Sequence, residues 1–286
     1  METSSMWNMF DKIVCLHFIP WDDERFEATK KELKRVGILD LPQFDWELTV
    51  PNKFFEYIKI PAGKIQRGHG TVTKKTLQQT LHQYTLFKKL QLQGYQRVLF
   101  LEDDIAFHKD LNFIKSILEQ TPEDWDVANF DPFRRRGWLG AGKGYWGHYY
   151  DLKGNEVPYD WNGETFLRYN SVVYNTDCVG LTGKAIAQIV ERQENNLCPG
   201  DWYTWRETGD LNTYCVSKGN NICVQNKTFD TKVSDEYSST FAQVYKGLDL
   251  TKYNITWREG YTKEVKPEGL ELLPDLEEQD PIPGQI

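Results

Sequence analysis

Hydrophobic positions along the chain alternate between two textures. Short continuous apolar runs predict strands buried on both faces, and longer stretches with apolar residues every three or four positions predict amphipathic helices. The first run is Ile13-Val14-Cys15-Leu16-His17-Phe18-Ile19. Pro20-Trp21-Asp22-Asp23 ends it and supplies capping acids to a helix predicted over 23–36, which turns Phe26, Leu33 and Val36 to one face and stops at Gly37. Residues 44–50 predict a second strand. From Thr73 to Gln93, Leu77, Leu81, Tyr84, Phe87 and Leu90 predict a long helix closed by Gly94. Val98-Leu99-Phe100-Leu101 predicts the next buried strand, 111–119 a helix, and Asp126 to Phe130 another strand. Later, 166–174 is rich in β formers, Lys184 to Glu194 reads as a helix, and Ile222 to Gln225 as a short strand. Residues 1–10 read as a loose start.

Strands alternating with helices, joined by long crossovers, imply an α/β fold with a mostly parallel central sheet and helices on both faces. The 286 residues suit a single domain over 1–265, with one half at about 12–131 and another at about 132–265. The stretch 266–286, with its acids and prolines, reads as a peripheral tail.

The chemistry concentrates where Val98 to Leu101 runs straight into Glu102-Asp103-Asp104. Open α/β sheets place ligands at the carboxyl ends of their strands, and consecutive acids there need a counter-charge. Backbone alternation turns Glu102 and Asp104 one way and Asp103 the other. Two hard oxygen donors on one face suit Mg²⁺ or Mn²⁺, ions that also hold substrate phosphates. The alternative is a set of solvated acids capping a strand before a turn at Lys109-Asp110.

Composition narrows the field. A net charge of −8 argues against a general nucleic-acid binder, although a local basic patch is still compatible with one. No apolar stretch has the length of a membrane span, and the acidic, polar start does not resemble a signal peptide, so a cytoplasmic location is expected. Five scattered cysteines without a C-x-x-C pair suggest neither a disulfide framework nor a zinc site.

Three further stretches carry candidate binding groups. Gln66-Arg67-Gly68-His69-Gly70 is a glycine-bracketed loop able to wrap a diphosphate, or an ordinary loop. Arg134-Arg135-Arg136 opens a glycine and aromatic loop containing Trp138 and Trp146, suited to clamping phosphate and stacking a sugar. It lacks the Gly-Lys-Ser/Thr ending of a P-loop. In Cys198-Pro199-Gly200-Asp201-Trp202-Tyr203-Thr204-Trp205, a carboxylate follows a turn and meets three aromatics, an environment that raises a pKa and excludes water. Asp201 is therefore the candidate base, and a helix N-cap is its plainer reading.

Taken in order, the strand and helix over Ile13 to Phe26, the long helix, Gly94-Tyr95-x-Arg97-Val98-Leu99-Phe100-Leu101-Glu102-Asp103-Asp104, Asp124-Trp125-Asp126-Val127 and Asp201-Trp202 resemble the family 25 glycosyltransferases. These include lipopolysaccharide-type and collagen galactosyltransferases, and the resemblance spans residues 12–205. It implies a GT-A fold, inversion, and a nucleoside-diphosphate sugar donor, UDP-sugar favoured, bound in the first half. It also implies that Glu102 and Asp104 hold Mn²⁺ or Mg²⁺ as a DxD-type motif. The resemblance carries over to Asp103 at the donor and to Asp201 as the catalytic base. By their own settings Arg25, His17 and Arg67 are expected at the donor and Arg134, Arg136, Trp138, Trp146 and Trp202 at the acceptor, the loop from Arg134 to Asp160 being particular to this chain. Where members of the family carry Cys-x-x-Ser-His at the start of the long helix, this chain has Gln79-Thr80-Leu81-His82. A glycan or lipid-linked saccharide is the expected acceptor, with at most transient docking at the inner face of a membrane. Transfer to modified DNA bases, a non-catalytic sugar-nucleotide module and a metal-dependent phosphohydrolase remain as alternatives.

Overall fold

The capped apolar run at the start of the chain forms strand β1 (Lys12–Phe18), followed by helix α1 (Asp23–Arg35), β2 (Phe44–Thr49), helix α2 (Lys74–Gln93) and β3 (Arg97–Glu102). Gly37 and Gly94 punctuate this run at φ of 76° and 74°, a left-handed conformation that glycine adopts without a Cβ penalty. These elements come from a computed structural model, which describes residues 3–18, 23–49, 74–132, 149–158, 160–169, 177–195, 210–226 and 248–255. After β3 come β4 (Ile105–Phe107), α3 (Leu111–Glu119) and β5 (Val127–Asn129). Helix α3 begins where the Asp110 carboxylate accepts from the backbone N–H groups of Asn112 and Phe113. The second half adds β6 (Tyr149–Tyr150), β7 (Glu156–Val157), β8 (Phe166–Tyr169), β9 (Cys178–Thr182), α4 (Gly183–Asn195), β10 (Thr213–Val216) and β11 (Cys223–Gln225).

Among the described residues the main sheet has nine strands in the order β2-β1-β3-β9-β5-β10-β8-β6-β7. Strands β1, β2, β3, β5 and β10 point the same way, as the α/β pattern requires. Between β3 and β5 the sheet admits one reversed strand, β9, and beyond β10 it continues as an antiparallel extension. Strands β4 and β11 form a separate antiparallel pair.

Strand alternation sorts the apolar side chains into two layers. Ile13, Cys15, Leu99 and Leu101 share a cluster with Leu33 of α1 and Ile114, Ile117 and Leu118 of α3. Their neighbours Val14, Leu16, Val98 and Phe100 pack with Leu86, Phe87 and Leu90 of α2 and with Ala185, Ile186, Ile189 and Val190 of α4. Helices thus cover both faces.

The start of the chain is not loose, which corrects the expectation from its mixed polarity. Thr3–Trp7 forms a 3-10 turn, Trp7 is fully buried, and its indole N–H donates to the Val36 carbonyl at 2.8 Å. Phe10 stands edge-on to Trp125, with ring centroids 6.2 Å apart. Burying each of these rings contributes roughly 2–3 kcal/mol, enough to order a short segment that lacks periodicity.

The connections define where a ligand would sit. From β1 the chain passes through α1 to β2 on one side, and α2 then carries it back past β1 to β3 on the other. The crevice at the carboxyl ends of β1 and β3 is therefore a topological switch point.

Candidate active site

The acids at the end of β3 and in the turn after it lie at this switch point. Glu102, Asp104 and Asp177 each bring a carboxylate oxygen within 4.8 Å of the others. Asp177 directly precedes β9, and because β9 runs against β3 with Cys178 opposite Leu101, Asp177 meets Glu102, the last residue of β3. The Glu102 N–H donates to the Asp177 carbonyl at 3.0 Å, which fixes that junction. Two unit charges about 4 Å apart repel by roughly 4 kcal/mol at an effective dielectric near 20, so a cation is the natural complement of three such carboxylates. The set offers oxygen alone, without imidazole or thiolate, and so fits Mg²⁺ or Mn²⁺.

Asp103 turns to the opposite side, toward α1. Only 3 % exposed, it faces Nδ1 of His17, and its other oxygen lies 2.5 Å from Nη2 of Arg25. An ionised carboxylate has no proton to give, so the hydrogen in the His17 contact sits on Nδ1. The Asp103 carbonyl accepts from Nε of Arg25 at 3.2 Å and from the Thr29 hydroxyl at 2.6 Å. Burial by itself raises the pKa of Asp103, but the Arg25 charge and the His17 contact outweigh it and hold the group below the usual carboxylate range. Beneath this network Cys15 is fully buried; burial first and the Asp103 charge second push its thiol well above the ordinary value, which makes it inert as a nucleophile.

Arg25 connects the two sides. Its Nη2 group also lies 3.2 Å from Oδ2 of Asp104, whose side chain keeps 22 % exposure. On the backbone, Asp104 is held from another direction, because β11 pairs with β4 and brings the Asn226 N–H onto the Asp104 carbonyl. His17 in turn packs against Phe26 with ring centroids 4.8 Å apart, and Phe26 against Trp46 at 4.7 Å.

Five residues singled out from sequence, His17, Arg25, Glu102, Asp103 and Asp104, are thus gathered at one strand end. Arg67, Arg134, Arg136, Trp138, Trp146, Asp201 and Trp202 lie outside the described residues. Asp177 escaped sequence reasoning. Its signal is an acid directly before the apolar run Cys178-Val179-Gly180-Leu181, the mirror image of Leu101-Glu102, which becomes legible only once β9 is known to run antiparallel to β3. The four described cysteines, Cys15, Cys178, Cys215 and Cys223, are buried free thiols, and no described helix is long and apolar enough to cross a membrane.

Searches of protein-family models and of curated proteins each find no match. Among solved structures the chain is similar to a mannose-1-phosphate geranyltransferase from Thermus thermophilus, with 13 % identity, coverage of 72 % of this chain and 73 % of that one, and a TM-score of 0.35. A glycosyltransferase involved in glycosylation of the major capsid of PBCV-1 gives 10 % identity, coverage of 64 % and 67 %, and a TM-score of 0.32. A UDP-glucose pyrophosphorylase complexed with UDP-glucose gives 9 %, coverage of 75 % and 77 %, and 0.34. These likenesses are slight, and the functional reading rests on the residues of this chain.

Proposed function

We propose that the protein is a metal-dependent, inverting glycosyltransferase of the family 25 type. It would move a hexose, galactose or glucose favoured, from a nucleoside-diphosphate sugar to an acceptor hydroxyl on a glycan or lipid-linked saccharide. The observation that carries this reading is the convergence of Glu102, Asp104 and Asp177 at the switch point of the sheet, with Arg25 against Asp104. A Mn²⁺ or Mg²⁺ ion bound there supplies positive charge to a leaving diphosphate. Glu102, Asp104 and Asp177 would be its protein ligands.

The remaining work falls to the chain itself. Arg25 offers a planar donor fork at the same strand end, suited to phosphate oxygens. Asp103, His17 and Thr29 fix that fork and the acidic turn from below. Asp201, beside Trp202, is assigned the acceptor proton on its sequence setting, and its carboxylate would take that proton as the hydroxyl attacks the anomeric carbon. The loop carrying Arg134, Arg136, Trp138 and Trp146, together with Arg67, completes the proposed contacts to acceptor and donor.

The test is release of nucleoside diphosphate from UDP-, GDP-, CMP- and TDP-sugars with Mn²⁺, Mg²⁺ or chelator, in wild type and Asp104→Asn. Turnover of one donor that requires the metal and is lost in the variant is the expected result. Binding without release under every acceptor condition would favour a non-catalytic module. Binding that depends strongly on salt and on DNA would favour transfer to modified bases.

A further inference from the structure

Arg25 sits at the seam between the buried acid and the acids of the proposed metal site. A single nitrogen, Nη2, serves both, at 2.5 Å from Asp103 Oδ1 and 3.2 Å from Asp104 Oδ2. We infer that Arg25 is the resident counter-ion of the site, that it and a divalent cation compete for Asp104, and that a diphosphate settles the competition by drawing the guanidinium onto its own oxygens. This rests on the metal-site reading above.

The two contacts are unequal, and the inequality decides which one yields. The Asp103 side chain is 4 % exposed and bonded as well to His17, and its carbonyl takes Nε of the same arginine. That end is anchored. The Asp104 contact is longer, and its carboxylate is 22 % exposed. It can be released with little loss of packing. A guanidinium and a divalent ion on one carboxylate repel each other, so the metal alone should bind weakly while Arg25 keeps Asp104. A diphosphate presents paired oxygens that match the guanidinium fork, and Arg25 turned toward them gives Asp104 up. Metal and diphosphate should then bind with positive coupling that runs through this one side chain, and by linkage each tightens the other equally.

Two plainer roles for Arg25 predict different outcomes. An arginine that only holds the diphosphate leaves the affinity for metal alone unchanged when removed. One that only supports the fold weakens both ligands together as stability falls. Competition predicts that its removal tightens metal alone while weakening the enhancement by diphosphate.

The experiment is a Mn²⁺ titration of the full chain, followed by the electron paramagnetic resonance signal of the free ion. It is run with and without UDP and corrected for the Mn²⁺–UDP complex in solution, on wild type, Asp104→Asn, Arg25→Met and Arg25→Lys, each checked by thermal melting. Arg25→Lys keeps a charge near Asp103, but its shorter side chain ends before the position that Nη2 holds between the two acids, so it covers the case in which Arg25→Met does not fold. Expected are tighter Mn²⁺ binding without UDP, about 10-fold in Arg25→Met and about 3-fold in Arg25→Lys, with the enhancement by UDP reduced by similar factors. Unchanged or weaker Mn²⁺ binding in the folded variants overturns the competition and leaves the metal site standing. Absence in wild type of any Mn²⁺ binding that Asp104→Asn removes overturns the metal site and, with it, the competition.

Discussion

Replacing Asp103 with Asn keeps the shape of the side chain and removes the charge on which the buried half of the site depends. In the wild type this carboxylate, 3 % exposed, is contacted by His17 and by Arg25. Breaking a buried pair by deleting one partner costs about 3–5 kcal/mol, chiefly because the other charge is stranded. Arg25 keeps 20 % side-chain exposure and a second carboxylate at 3.2 Å, so the cost should fall at the lower end, about 3 kcal/mol. At about 2–4 °C per kcal/mol for a chain of this size, the melting midpoint should drop by about 6–12 °C. The pH dependence follows from the direction of the shift. Asp103 titrates below its ordinary value in the folded protein, so its stabilisation is complete above the unfolded value of about 3.9 and is lost as pH falls through the folded value. The gap between wild type and Asp103→Asn should therefore be full at neutral pH and close only in acid. Circular-dichroism melts from pH 3 to 8 read it directly. A gap under about 0.5 kcal/mol at neutral pH, or one that is widest in acid, would refute the reasoning.

Other outcomes follow from the same contacts. Asp104→Asn and Asp177→Asn should each lower metal-dependent turnover by about 100- to 1,000-fold, the scale of losing a principal electrostatic stabiliser, while melting stays close to wild type; initial rates at saturating Mn²⁺ check this. Gly180→Ala places a methyl 3.3 Å from the rings of Phe10 and Trp125 in a packed layer, and should cost about 1–3 kcal/mol in urea unfolding. Glu32 is 5 % exposed and accepts from the Phe107 N–H at 2.8 Å, from Arg35 and from Asn254, so Glu32→Gln should lower stability by about 2 kcal/mol and loosen residues 248–255, as read by amide exchange.

The first half of the fold was legible because its signals are local. Capping acids, the glycines at 37 and 94, and apolar residues every three or four positions mark α1 and α2 without reference to anything distant. The same holds for the apolar run of β3; the opposed facing of Glu102 and Asp103 agrees with the alternation expected of a strand, although Asp103 stands in the turn that follows β3. Strand β9 was not legible. Cys-Val-Gly-Leu-Thr carries a glycine that weakens its β signal, and at Gly180 a Cβ would press to within 3.3 Å of the Phe10 and Trp125 rings. The contribution of Asp177 depends on the direction of that strand, which no local pattern encodes. Strand β10, Thr213–Val216, is too short to stand out from its surroundings. Trp7 and Phe10 were missed for a related reason: their order comes from partners at Val36, Phe107 and Trp125, far along the chain.

The central claim is that Glu102, Asp104 and Asp177 together hold the divalent ion that a nucleotide-sugar donor requires. The most direct measurement is anomalous diffraction at the manganese edge from crystals grown with Mn²⁺ and UDP. A single peak between the three carboxylates, lost in crystals of Asp177→Asn, is the predicted result. Manganese bound elsewhere, or a peak among Glu102 and Asp104 that persists at full height in Asp177→Asn, would contradict it.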